Sequence, residues 1–125
     1  MGIILRWLPV YLTAIVIFYL STTPIIIIRK PPFPHYDKVF HAVEYFILAY
    51  FLLKALLKSQ KNYVNKIICL WVFLIPTLFG IFIEIWQIYV PGRDCSFLDM
   101  AANSIGAVFV IGLHFLLTTK STKFY

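Results

Sequence analysis

Four long apolar stretches dominate this chain: Trp7 to Leu20, Asp37 to Leu57, Ile67 to Val90 and Phe97 to Thr118. A helix rises ~1.5 Å per residue and a bilayer's hydrocarbon core is about 30 Å thick, so stretches of this order are of spanning length. Soluble domains hold roughly 45–50% apolar and about 25% charged residues. Here 62% of the 125 residues are hydrophobic and only 13% are charged. Such a chain has too little polar surface to face water by itself. The expected fold is therefore all-α: a polytopic membrane protein with four transmembrane helices in a small bundle, forming one domain over residues 1–125.

The breaks between stretches carry the turn chemistry. Ser21-Thr22-Thr23-Pro24 ends or kinks the first span, whose apolar character resumes as far as Ile28. Arg29-Lys30-Pro31-Pro32-Phe33-Pro34-His35 is too rich in proline to be helical throughout and reads as an extended connection. Asp37 is placed to cap the second span. The stretch Lys54 to Lys66 reads as a polar turn, and Pro91-Gly92 as the turn that ends the third span. Pro76 is expected to kink the third helix. Ala101, Ala102, Ser104, Gly106, Ala107 and Gly112 would let the fourth approach its neighbours closely.

The net charge of +6 raises the question of nucleic acid, but no basic stripe with interleaved stacking aromatics is present. The cations gather in the breaks, as membrane topology would place them. Four spans put both termini on one side. That side holds Arg6, Lys54, Lys58, Lys61, Lys66, Lys120 and Lys123, against Arg29, Lys30, Lys38 and Arg93 on the other. The excess assigns both termini to the cytoplasm. The first span follows Arg6, lacks an A-x-A cleavage site and is expected to be retained as an anchor. The two cysteines, Cys69 and Cys95, lack metal-type spacing. With one near each end of the third span, roughly 30 Å apart, they are not expected to pair.

Polar residues inside apolar spans are costly and invite a functional reading. Glu84 and Gln87 lie three apart before the Pro91–Ser96 loop, and Asp99 and Asn103 four apart after it. Asp37, His41, Glu44 and Tyr45 fall at helical spacing on the second span. Counting residues puts Glu84 roughly 9 Å from the end of its span. His41 and Asp99 come within the first turns of theirs. Three spans thus carry ionisable groups to one level, beside Arg93, in the outer part of the bilayer. His114, far along the fourth span, reads as a packing or interface residue.

These residues form a pattern that resembles the VanZ-like family, named for a protein linked to teicoplanin resistance in enterococci. It runs Asp37-Lys38-x-x-His41-x-x-x-Tyr45, Gly80-x-x-x-Glu84-x-x-Gln87 and Arg93-x-x-Ser96-x-x-Asp99-x-x-x-Asn103-x-x-Gly106. Ser21 and Pro24 look like the serine and proline that often end the family's first span. His35, Glu44, Asp94 and His114 are outside the pattern. The resemblance implies a small polytopic protein of the bacterial cell membrane, often associated with glycopeptide resistance in Gram-positive bacteria, and no settled reaction.

Three readings of the polar set are open at this point. In the first, a membrane enzyme acts on a lipid-linked envelope substrate or a peptidoglycan stem. His41 and Glu84 serve as base and acid, Asp99 orients His41 or Arg93, and Arg93 anchors a phosphate or carboxylate. Asp37, Lys38, Tyr45, Gln87, Ser96 and Asn103 complete the substrate contacts. A divalent metal on His41, Glu84 and Asp99 is conceivable, but no HExxH-like spacing supports one, and none is assigned. Nor does either Ser96 or Cys95 sit in a nucleophile motif. No cofactor is indicated. In the second, the same set binds a membrane lipid head group, a lipid-linked cell-wall precursor or the glycopeptide antibiotic without turnover. In the third, the groups pair with one another and only hold the helices together.

Overall fold

The computed structural model describes residues 2–24, 33–59 and 65–121. Within them lie four helices: α1 (Ile3–Thr22), α2 (Tyr36–Ser59), α3 (Lys66–Gln87) and α4 (Phe97–Ser121). All four are long and apolar enough to cross a membrane, and they pack as a bundle. The all-α, four-span expectation is met. Large apolar side chains on every helix, such as Ile4, Val43, Phe82 and Phe109, point outward. In water that surface would be untenable; in hydrocarbon it is the lipid-facing side.

The spans differ from their expected limits in ways the local chemistry explains. α1 begins at Ile3 and stops at Thr22, where Thr23 turns extended before Pro24. Its suggested continuation to Ile28, and residues 29–32 of the proline-rich connection, lie outside the described residues. α2 begins one residue before Asp37, so Asp37 occupies its first turn and does not cap it. The capping carbonyl is that of His35, which accepts from the Lys38 and Val39 amides at 3.0 and 3.3 Å. His35 holds a left-handed φ of 59° to present it. α2 also runs on through Lys54 to Ser59, so half of the expected polar turn is helical. Residues 60–64 of that turn lie outside the described residues. Asn65 starts α3, its side-chain oxygen accepting from the Ile68 amide at 2.9 Å.

α3 ends at Gln87, three residues short of the expected Val90. The next amides, Ile88, Tyr89 and Val90, donate to carbonyls three residues back, which tightens the chain out of the α-helix. Val90 to Arg93 then closes a turn with Pro91 second and Gly92 third. The Arg93 amide donates to the Val90 carbonyl at 3.1 Å, and Gly92 has φ 78°. Only glycine takes that third position freely.

α1 and α3 run one way and α2 and α4 the other. The end of α1, the start of α2, the end of α3 and the start of α4 therefore meet at one end of the bundle, opposite both termini. The core is built from Ile17, Tyr45, Leu48, Ala49, Leu52, Ile68, Val72, Ala107 and Val110. With lipid as solvent, close packing and not water exclusion holds such helices together. α2 and α4 share the most extensive interface. Gly106 permits it: a Cβ there would lie 2.3 Å from the Ala42 carbonyl oxygen. Ala102 and Ala107 are buried with it, whereas Ala101 and Gly112 face outward and take no part. α1 is the least embedded helix, with 11% of its span buried against 39% for α2.

Candidate functional site

The polar residues occupy the bundle end where α2 and α4 begin and α3 stops. Ser96 starts α4. Its carbonyl accepts from the Asp99 and Met100 amides at 3.1 Å each, and its hydroxyl faces the Asp99 amide at 3.3 Å. In an ordinary capping box the acidic side chain three residues on would reach back to the cap's own N–H. Here Glu84, from the preceding helix, takes that role: the Ser96 amide donates to Glu84 Oε2 at 3.0 Å. The Asp99 carboxylate is thereby left free to face α2.

On α2, Lys38 pairs with Asp37 and reaches Asp99 Oδ1 at 2.7 Å. One turn deeper, His41 Nε2 lies 3.9 Å from Glu84 Oε1 and 3.9 Å from Asp99 Oδ2. Three helices thus deliver an imidazole and two carboxylates to one point. All three are withdrawn from the surface: His41 is 8% exposed, Asp99 7% and Glu84 0%. Among the described residues Glu84 Oε1 and His41 Nδ1 have no hydrogen-bond partner. Two acids at the first turn of α4 also sit where a helix dipole favours negative charge.

Beneath this level lies a second one, a helical turn further in. Tyr45 and Asn103 are each fully buried, and the Tyr45 hydroxyl and both Asn103 amide atoms lack a well-formed hydrogen bond. Asn103 stands against the His41 ring. Gly80 makes room: a Cβ there would lie 2.7 Å from Asn103 Nδ2 and 3.1 Å from Tyr45 Cε1. Gly80, four residues before Glu84 on α3, is thus a backbone surface against which the polar floor rests.

Two residues expected at the site work elsewhere. Gln87 donates its side-chain amide to the Ser21 carbonyl at 3.0 Å. The Arg93 guanidinium donates to the Leu20 carbonyl at 2.6 Å and the Thr23 carbonyl at 3.4 Å. The last carbonyls of a helix have no partner within it. Gln87 and Arg93 supply those partners to α1, and so clamp α1 onto the end of α3. Burial draws the Arg93 guanidinium below its ordinary value, while the nearby Glu44 and Glu84 carboxylates oppose that shift. Glu44 itself departs from the face it was grouped on. It turns toward α1 and lines a groove of about 380 Å³ with Leu12, Val16, Ile17 and Phe40. His114 lies far from the cluster, its ring edge-on to Phe115.

The fold and site together define a multi-pass membrane protein with a buried polar cluster at one end of a four-helix bundle. The chain belongs to the VanZ/LLP1 family, whose model matches residues 3–118. Neither the curated proteins nor the solved structures contain a match to it.

Proposed function

We propose that this chain is a protein of the bacterial cell membrane whose polar end opens to the extracytoplasmic face, with both termini in the cytoplasm. There it acts on the head group of a lipid-linked or peptidoglycan-related envelope substrate by acid/base chemistry, and it alters susceptibility to teicoplanin-type antibiotics. The observation that carries this reading is the position of His41 Nε2, equally distant from a carboxylate on α3 and one on α4. A separation of 3.9 Å is longer than a hydrogen bond. Catalytic contacts are often loose without substrate and tighten around it. His41 is the proton acceptor and Glu84 the donor. Asp99, held by Lys38, orients the imidazole, and Ser96 fixes Glu84. The Tyr45 and Asn103 groups supply hydrogen bonds from below. The site lies about one turn inside the span ends, below the level at which a lipid head group would sit. The link to teicoplanin comes from the family's name.

A second reading is favoured by the unpaired groups themselves. Among the described residues Glu84 Oε1, the Tyr45 hydroxyl and the Asn103 amide are buried without a well-formed hydrogen bond, and a bound head group or antibiotic would satisfy them without any reaction. Glu84→Gln separates the two. Glutamine keeps an oxygen for the Ser96 amide and nearly the same volume but cannot exchange a proton. At matched membrane levels, cells carrying the wild type should tolerate more teicoplanin than cells without it. Glu84→Gln should abolish that difference. Protection that survives the substitution in folded protein removes acid/base chemistry and leaves binding.

A further inference from the structure

We infer that His41, Glu84 and Asp99 form a binding site for one divalent transition-metal ion of the zinc or manganese type. The inference rests on the reading of these three residues as the working site and gives that site a cofactor.

Each residue offers one donor atom such that the three lie within 4.8 Å of one another. An ion among atoms so spaced sits roughly 2.4–2.8 Å from each, a few tenths of an ångström beyond the ~2.0–2.2 Å of zinc–nitrogen and zinc–oxygen bonds. Small side-chain rotations close that gap. One imidazole and two carboxylates suit zinc or manganese better than a thiol-seeking ion, and a set of three leaves a coordination position open.

Charge points the same way. Among the described residues Lys38 meets Asp37 and Asp99, while Arg93 donates its hydrogen bonds to the α1 carbonyls and makes no ion pair within 4.0 Å of Glu84. Among the described residues Glu84, with no exposure at all, has no permanently charged nitrogen within 4.0 Å, and its one ion-pairing neighbour is His41. Its Oε1 is orphaned and aimed at the imidazole. A buried carboxylate in this position calls for a cation, a proton or a partner, because an uncompensated charge there is very costly. A metal ion would compensate Glu84 and Asp99 together. The surrounding contacts are those that hold ligands in place around metals. The Ser96 amide fixes the far oxygen of Glu84, Lys38 fixes the far oxygen of Asp99, and Asn103 backs the ring of His41. His41, Glu84 and Asp99 would hold the ion, which would supply Lewis-acid chemistry at this point; without it His41 and Glu84 keep their base and acid roles.

The test uses the full chain, free of any histidine tag, in lipid nanodiscs stripped with chelator. Zn²⁺ measured by elemental analysis after desalting is expected at about one ion per chain. His41→Ala and Glu84→Gln, checked for helix content, should each weaken binding at least about tenfold, while His114→Ala should not. Co²⁺ reads the ligands of the unaltered chain, so the test stands even if a variant fails to fold. The expected spectrum has visible d–d bands without a thiolate charge-transfer band. Absence of bound Zn²⁺, undiminished binding in folded His41→Ala and Glu84→Gln, or a thiolate band from Cys69 or Cys95 would each overturn the site. Failure here does not touch the acid/base reading. A metal-free chain whose teicoplanin protection is lost in Glu84→Gln keeps that reading and loses only the ion; metal binding with protection intact does the reverse.

Discussion

Two glycines on facing helices illustrate how differently the same added methyl can act. At Gly106 a Cβ would press on the Ala42 carbonyl and the Phe46 amide at 2.3 and 2.8 Å, both of them backbone. Backbone in a helix cannot step aside, so Gly106→Ala must push α4 off α2 along their main interface. Overpacking of this kind costs about 1–3 kcal/mol, and the expected outcome is a lower melting temperature in nanodiscs and less protein in the membrane. At Gly80 the nearest atom is the end of the Asn103 side chain, at 2.7 Å. That amide can swing away at smaller cost to the fold, but it leaves its place beside His41. Gly80→Ala should therefore melt close to the wild type yet, under the proposed function, lose most teicoplanin protection. Equal loss of stability in both variants would contradict this division.

At the scale of elements, α1 is tied down mainly at one end. Gln87 holds the Ser21 carbonyl and Arg93 those of Leu20 and Thr23. Gln87→Leu strands a buried carbonyl, at about 1–3 kcal/mol. The expected result is at least tenfold faster amide exchange in the last turn of α1, with α2 to α4 unchanged. Arg93→Lys, which keeps the charge but loses the forked donor, should show a smaller effect at the same amides. Slower or unaltered exchange there would mean that the clamp does not hold α1. This clamp also marks the limit of what the sequence discloses. Apolar length and the breaks at Pro24 and Pro91 gave the four spans, and counting inward from them brought His41, Glu84 and Asp99 to one level. Counting could not show which way Gln87 and Arg93 point, because their partners are backbone carbonyls that no residue type advertises. The end of α3 was misplaced for a related reason: Ile88 to Val90 are apolar enough to continue a helix, and only the shift to three-residue hydrogen bonds ends it. No local spacing could signal a metal set drawn from three separate helices.

For the molecule as a whole, the arrangement fixes which groups share a face. Cys95 lies in the exposed loop at the polar end, and Cys69 lies near the start of α3 at the opposite end, both as free thiols. If the polar end is extracytoplasmic, an impermeant maleimide on intact cells should label Cys95 and leave Cys69 untouched until lysis. The reverse pattern would turn the protein over in the membrane and remove an envelope substrate from its reach. One contact links the polar end to the stability of the hairpin beneath it. The carboxylate that meets His41 is the same one that receives the amide of Ser96, the residue just before α4. Pulling Glu84 inward would lengthen its bond to the Ser96 amide while the Asp99 and Met100 amides stay on Ser96, so the exchange rate of one serine's backbone hydrogen would register occupancy of the cluster.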